Sequence, residues 1–220
     1  MFRSMIATAA LLTAFSTLAS GQTIQFEPGT GMVTVNGTNG PDECEIKMAG
    51  DEVRVELKYP DPDGSGTDKI REYFEVHEIN FIVFLGFDGD DLCYFDDIDE
   101  FYDEGASHIV SVQYGGKGAD MLFGGPASDY LDGGEDAQVD VLMGGPGNDT
   151  FVRYYRKKKV DADYGTLASA TDNKAKQVQS KSSLLGGSSS QVKLINVPLV
   201  DKIVDFNSHE SDFIDWVLVQ

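Results

Sequence analysis

The chain has 220 residues, of which 17 are basic and 37 acidic, for a formal net charge of −20. That balance excludes nucleic acid as the main partner, because phosphate contact needs a basic surface. The length suits one domain, or one domain with an extension.

Residues 1–21 read as a secretory signal. Arg3 precedes an apolar run, 5–18, which ends in Ala19-Ser20-Gly21. This is the order of a basic start, a short apolar core and a small-residue cleavage site. The run is short for a membrane span of ~20 residues. The mature chain is therefore expected outside the cell, with no membrane span.

Residues 22–114 are expected to form irregular β coils. Segments 23–26 and 32–36 look like short strands, and 44–48 and 52–59 alternate as strands do, with Ala49-Gly50-Asp51 as the turn between them. Segment 60–66 is an exposed loop rich in Pro, Gly and Asp. Asp61, Asp63 and Gly66 could open a helical calcium loop, but the flanks are not helical and that reading is set aside. Segment 79–85 is almost continuously apolar, as in a strand covered on both faces. It runs into an acidic turn containing Gly86, Asp88, Gly89 and Asp91, with Cys93 two residues later. Gly40, Asp42 and Cys44 form a weaker copy of the same turn. Nine acids and no base lie between residues 86 and 104, and segment 109–114 is a strand.

The stretch 115–152 reads GGKGADMLF, GGPASDYLD, GGEDAQVDVLM, GGPGNDTFV. Every block opens with Gly-Gly and places an Asp two residues before an apolar residue. Paired glycines allow a tight turn that a Cβ would forbid. Leu122, Leu131, Leu142 and Phe151 are expected to face the core. Asp120, Asp129, Asp140 and Asp149 would then stack at the strand spacing of ~4.8 Å. Carboxylates stacked so closely repel, and seven acids face only Lys117 in this stretch. A hard cation such as Ca²⁺, which takes about 6–8 oxygen ligands, removes the repulsion.

This is the nonapeptide pattern G-G-x-G-x-D-x-U-x, with U a bulky apolar residue. In these blocks the chain resembles the RTX family of haemolysin-type calcium-binding repeat proteins. The resemblance implies an all-β fold with a right-handed parallel β-roll and Ca²⁺ held between coils. Carried over by position, the metal-binding residues are Gly116, Gly118, Asp120, Gly125, Asp129, Gly134, Asp140, Gly145, Gly147 and Asp149. The earlier turn adds Gly86, Asp88, Gly89 and Asp91. Three departures stand out. Ala127 replaces a repeat glycine. Block three is two residues longer, through Glu135-Asp136-Ala137-Gln138-Val139. Pro126 and Pro146 occupy a position expected to point outward. The N-terminal signal also differs from the large RTX toxins, so their export route is not implied.

Beyond residue 152 the composition shifts. Arg153, Arg156, Lys157, Lys158 and Lys159 form a basic run, and 153–191 reads as a flexible insertion. Segment 192–220 is apolar again and is expected to cap the open end of the stack. Cys44 and Cys93 share the slot of Leu122 and Leu142, which predicts that they touch across adjacent coils, either bridged or as free thiols.

No zinc-protease, nucleophile-elbow or phosphate-loop motif is present. The function expected is calcium binding in a secreted structural or interaction module, with a cell-surface or matrix component as partner. The alternative is a β-helical enzyme acting on polysaccharide, with Asp96, Asp97 and Asp99 as its carboxylates.

Overall fold

The computed structural model describes residues 22–161, 192–198, 202–204 and 213–219. The expected signal, residues 162–191 of the insertion, and parts of the C-terminal segment lie outside the described residues.

The strands run β1 (Thr23–Glu27), β2 (Met32–Asn36), β3 (Glu43–Ala49), β4 (Glu52–Pro60), β5 (Thr67–Glu75), β6 (Phe81–Asp88) and β7 (Leu92–Asp96). After a short helix, α1 (Ile98–Asp103), come β8 (Val110–Lys117), β9 (Met121–Phe123), β10 (Tyr130–Asp132), β11 (Val141–Met143) and β12 (Thr150–Asp161). The last are β13 (Val192–Pro198), β14 (Lys202–Ile203) and β15 (Phe213–Val219). One sheet has the order β1-β2-β6-β8-β10-β12-β13, with β15 also pairing β12; the other has β14-β11-β9-β7-β3-β4-β5.

The expected all-β fold built on a right-handed parallel β-roll is not what forms. The described residues are mostly strand, with a short helix, and make two mixed sheets. Pairs β1/β2, β3/β4, β4/β5 and β12/β13 are antiparallel. The reason lies in the connections. The first three of these pairs join consecutive strands through short links, such as Gly50-Asp51 between β3 and β4, and a short link permits only an antiparallel hairpin. Parallel pairing is confined to strands separated by longer excursions, including those leaving the glycine-rich turns.

The core lies between the sheets, in columns set by register. Cys44 pairs with Cys93, Cys93 with Leu122, Leu122 with Leu142 and Leu142 with Ile203. In the other sheet Val35, Phe84, Gln113, Leu131 and Phe151 are successive partners. Leu122, Leu131, Leu142 and Phe151 are all fully buried, as expected. Gln113 is the polar member. Its Nε2 donates to Ser111 Oγ at 3.1 Å and to the Phe123 carbonyl at 2.9 Å. Phe101 of α1 packs on Phe95, their ring centroids 5.2 Å apart.

Cys44 and Cys93 are fully buried free thiols in direct register. Burial, reinforced by Cys44, holds the Cys93 thiol well above its ordinary pKa. The pair acts as small apolar filler of the inward column.

The in/out register has a direct test. Leu122→Ala should cost about 2–5 kcal/mol of unfolding free energy. Met121→Ala, one residue earlier on the exposed face, should stay within about 0.5 kcal/mol. Denaturant unfolding of the two variants checks this, and equal losses would contradict the register.

Candidate functional site

The turns carrying the repeat glycines form two stacks. The first contains turns 37–42, 86–91, 115–120 and 133–140, which lead into β3, β7, β9 and β11. The second contains turns 124–129 and 144–149, which lead into β10 and β12. The two degenerate turns anticipated from Asp42 and Asp91 thus take their places beside the regular ones.

In every turn the aspartate is buried: Asp42, Asp91, Asp120, Asp129, Asp140 and Asp149 are all 3% exposed or less. Their Oδ1 atoms join successive turns. Asp91 Oδ1 accepts the Asp42 amide at 2.8 Å, Asp120 Oδ1 that of Asp91 at 2.8 Å, and Asp140 Oδ1 that of Asp120 at 2.9 Å. In the second stack Asp129 Oδ1 accepts the Ser111 amide at 2.7 Å, and Asp149 Oδ1 that of Asp129 at 2.8 Å. The link also runs the other way. The carbonyls of Asp42, Asp91, Asp120 and Asp129 accept from Leu92, Met121, Val141 and Thr150 at 2.8–2.9 Å.

Oδ2 explains the first glycine of each turn. The side chain curls back over that residue, so a Cβ at Gly37, Gly86, Gly115, Gly124, Gly133 or Gly144 would collide with Oδ2 of its own turn's aspartate. Glycine and aspartate are five positions apart in five turns and seven apart in block three. The longer loop therefore bulges without losing phase. Its extra Asp136 reaches the preceding turn, where Oδ2 accepts the Gly118 amide at 2.8 Å.

The later glycines answer to the stacking itself. Gly118, at φ +141°, leaves no room for a Cβ against the Gly89 carbonyl, and Gly116 stands likewise against the Phe87 carbonyl. Gly134 and Gly147 meet the carbonyls of Gly116 and Ala127 in the same way. Backbone oxygens thus line the stacks. Phe87 takes a positive φ of 76° where the next turn has Gly116.

The remaining residues singled out from sequence are placed differently. Asp88 pairs with Lys117 at 2.8 Å on the surface and lies outside the ladder. Gly125 has no positive φ and packs against the Phe95 ring, and Ala127 is accommodated without strain. Pro146 is exposed as expected, but Pro126 is buried beside α1, whose Tyr102 hydroxyl donates to its carbonyl at 3.3 Å. Asp96 is held by Lys47, while Asp97 and Asp99 are exposed at the start of α1. The loop 61–66 links β4 to β5. Glu72, twelfth from Asp61 and so placed for a bidentate ligand of a helical loop, lies in β5 opposite Val55. Asp132, 8% exposed and not among the residues singled out from sequence, accepts the Gly134 amide at 3.0 Å and the Tyr154 hydroxyl at 2.9 Å. It closes its block outside the aspartate phase, and no spacing rule marks it.

Burial dominates the electrostatics. Desolvation raises Asp91 to about 8, with Asp120 and Asp42 adding repulsion against the Asp42 amide bond. It raises Asp129 to about 8, with Asp149 adding repulsion, and Asp120 to about 6. Asp42 is raised for the same reason, partly offset by bonds from Thr38. Asp91 Oδ2 and Asp120 Oδ2 are buried with no hydrogen-bond partner.

These residues fit a hard cation. The donors are all oxygen, two carboxylate oxygens are orphaned, and the turns are lined by carbonyls. Among the described residues no three His, Cys, Asp or Glu side chains converge as a metal-ligand group, so an ion here would rely heavily on backbone oxygens, as Ca²⁺ readily does. Among the described residues no helix is long and apolar enough to cross a membrane. Comparison with family models, curated proteins and solved structures gives no match.

Two outcomes follow. An acid whose pKa is raised by folding keeps its proton longer in the folded chain, so stability falls as pH rises from the ordinary 3.8 through about 8. In chelator, denaturant midpoints should therefore be higher at acidic than at alkaline pH across this window; a midpoint rising with pH would contradict it. Gly115→Ala should cost about 1–3 kcal/mol or more, whereas Gly66, with open space around it, should tolerate alanine.

Proposed function

We propose that the two turn stacks bind calcium, and that the protein is a secreted structural or interaction module whose glycine-rich turns belong with the RTX repeat proteins. One observation carries the reading. Aspartates that folding buries stand one above another in a chain of net charge −20, and two of their oxygens have no partner. Such carboxylates must take up protons or a cation.

Calcium, when bound, would supply positive charge between turns and complete its shell with oxygens. The chain's own part is to hold those oxygens still. Oδ1 is fixed by the neighbouring amide, Oδ2 is pressed on the first glycine, and the carbonyls of Phe87, Gly89, Gly116 and Ala127 are aimed along the stack. Asp91, Asp120, Asp129, Asp140 and Asp149 are the side-chain candidates. Millimolar extracellular calcium fills even weak sites of this kind, which agrees with the signal read at 1–21. A cell-surface or matrix component is the class of partner this reading favours.

The test is a calcium titration followed by far-ultraviolet dichroism and denaturant unfolding. Calcium should order and stabilise the protein, and magnesium should substitute poorly because it demands a smaller octahedral shell. Identical spectra and midpoints in calcium and in chelator would overturn the proposal. Asp120→Asn sharpens it, since it removes a charge while leaving an acceptor for the Asp91 amide. At alkaline pH the variant should be more stable than the parent in chelator and bind calcium more weakly. Asp120→Ala and Asp149→Ala should weaken calcium binding more than Asp136→Ala.

A further inference from the structure

The outer face of the sheet built on β7, β9 and β11 changes character across its width. On β3, β4 and β5 it is an ionic lattice: Lys58 pairs with Glu43 at 2.8 Å, Arg54 with Glu45, and Arg71 with Glu56. Tyr94 marks the border, its hydroxyl 3.2 Å from Glu43 and 3.3 Å from Glu45. Beyond it the outward residues are apolar. Met121 stands between Leu92 and Val141 in register, and Phe123 beside Met143. Leu92, Met121, Phe123 and Met143, with Ile98 of α1, line a groove of about 440 Å³ that reaches Gly124 and Gly145. Met121 is 43% exposed.

Charge decides what fits. Asp97 and Asp99, both exposed, adjoin the groove-lining Ile98 in sequence, and Asp103 and Glu104 are exposed at the far end of α1. No lysine or arginine occurs between residues 86 and 116. The nearest base toward the lattice, Lys47, is already paired with Asp96; Lys202 lies at the opposite side, on β14. A second copy of the chain would bring a further charge of −20 to an acidic wall, and an anionic lipid surface would be repelled in the same way. A basic amphipathic segment suits both features, with its apolar stripe on the floor and its lysines or arginines toward α1. Methionine side chains in the floor adapt readily to varied apolar partners. We propose that this groove is a docking site for a basic amphipathic segment of a partner protein. It is a feature of the sheet and needs no ion in the turns.

The probe is a fluorescent Leu/Lys amphipathic peptide, titrated by anisotropy against the full chain in calcium-containing buffer. Saturable binding is expected. Met121→Glu should weaken it by about tenfold or more. That change adds a negative charge, so loss of a cationic ligand can come only from the apolar floor. Asp99→Lys should also weaken binding and flatten its salt dependence, whereas Phe213→Glu, at an exposed residue on the other sheet, should leave it unchanged. Equal binding of a Lys/Ser peptide of the same charge, or indifference to Met121→Glu, would overturn the proposal. So would a dimer, seen by sedimentation, that Met121→Glu dissolves, because the occupant would then be a second copy.

Discussion

A carboxylate oxygen that accepts the amide of the preceding turn is the interaction on which this architecture depends. Once Oδ1 of Asp91 is bound to the Asp42 amide, and Oδ1 of Asp120 to that of Asp91, the separation between turns is fixed at hydrogen-bond length. The other consequences follow from that closeness. Oδ2 has nowhere to go but over the first glycine of its own turn. The carbonyls of one turn press on the α-carbons of the next, which must be glycine at Gly116, Gly118 and Gly134. One residue after each aspartate the chain enters a strand whose second residue points inward, and Cys93, Leu122 and Leu142 fall into one buried column.

The ladder creates an electrostatic problem along with the geometry. Each amide bond favours an ionised carboxylate, while burial and the neighbouring acids disfavour it, and burial is the larger effect at Asp91 and Asp129. A hydrogen bond satisfies one oxygen of a carboxylate and leaves its net charge uncompensated. The stack is thus well formed in geometry and poorly neutralised in charge. That imbalance is the physical basis for reading the turns as cation sites.

The turns that carry the ladder were legible in the sequence, though the amide bonds between them were not, because the turns are written in the spacing of Gly and Asp. The phase of Gly and Asp marked the turns, including the degenerate ones at Asp42 and Asp91, and the apolar residue two places later marked the inward column. The register of Cys44 with Cys93 followed from the same count. What the repeat did not reveal was how the rest of the chain completes the sheets. β5 carries Asp68, Lys69, Arg71 and Glu72, and only Ile70 and Phe74 of its inward face pack against the core, with Glu72 between them, so its alternation is broken. Its hairpin with β4 is one reason the sheets are mixed. α1 leaves no helical signature in the sequence, since its Phe101 is a lone buried residue among acids. Asp132, Ser111 and Gln113 are buried polar residues that also bond the Tyr154 hydroxyl, the Asp129 carboxylate and the Phe123 carbonyl, partners on other elements that spacing along one strand does not reveal.

Protons and calcium compete for the same carboxylates, and the competition is measurable. Metal binding to protonated ligands releases protons. Calorimetric titration of calcium near neutral pH, in buffers of different ionisation enthalpy, counts them. Calcium binding should be accompanied by proton release that fades as the pH is raised above about 8, where Asp91 and Asp129 have already ionised. Absence of calcium binding, or binding with no proton release at any pH, would contradict it.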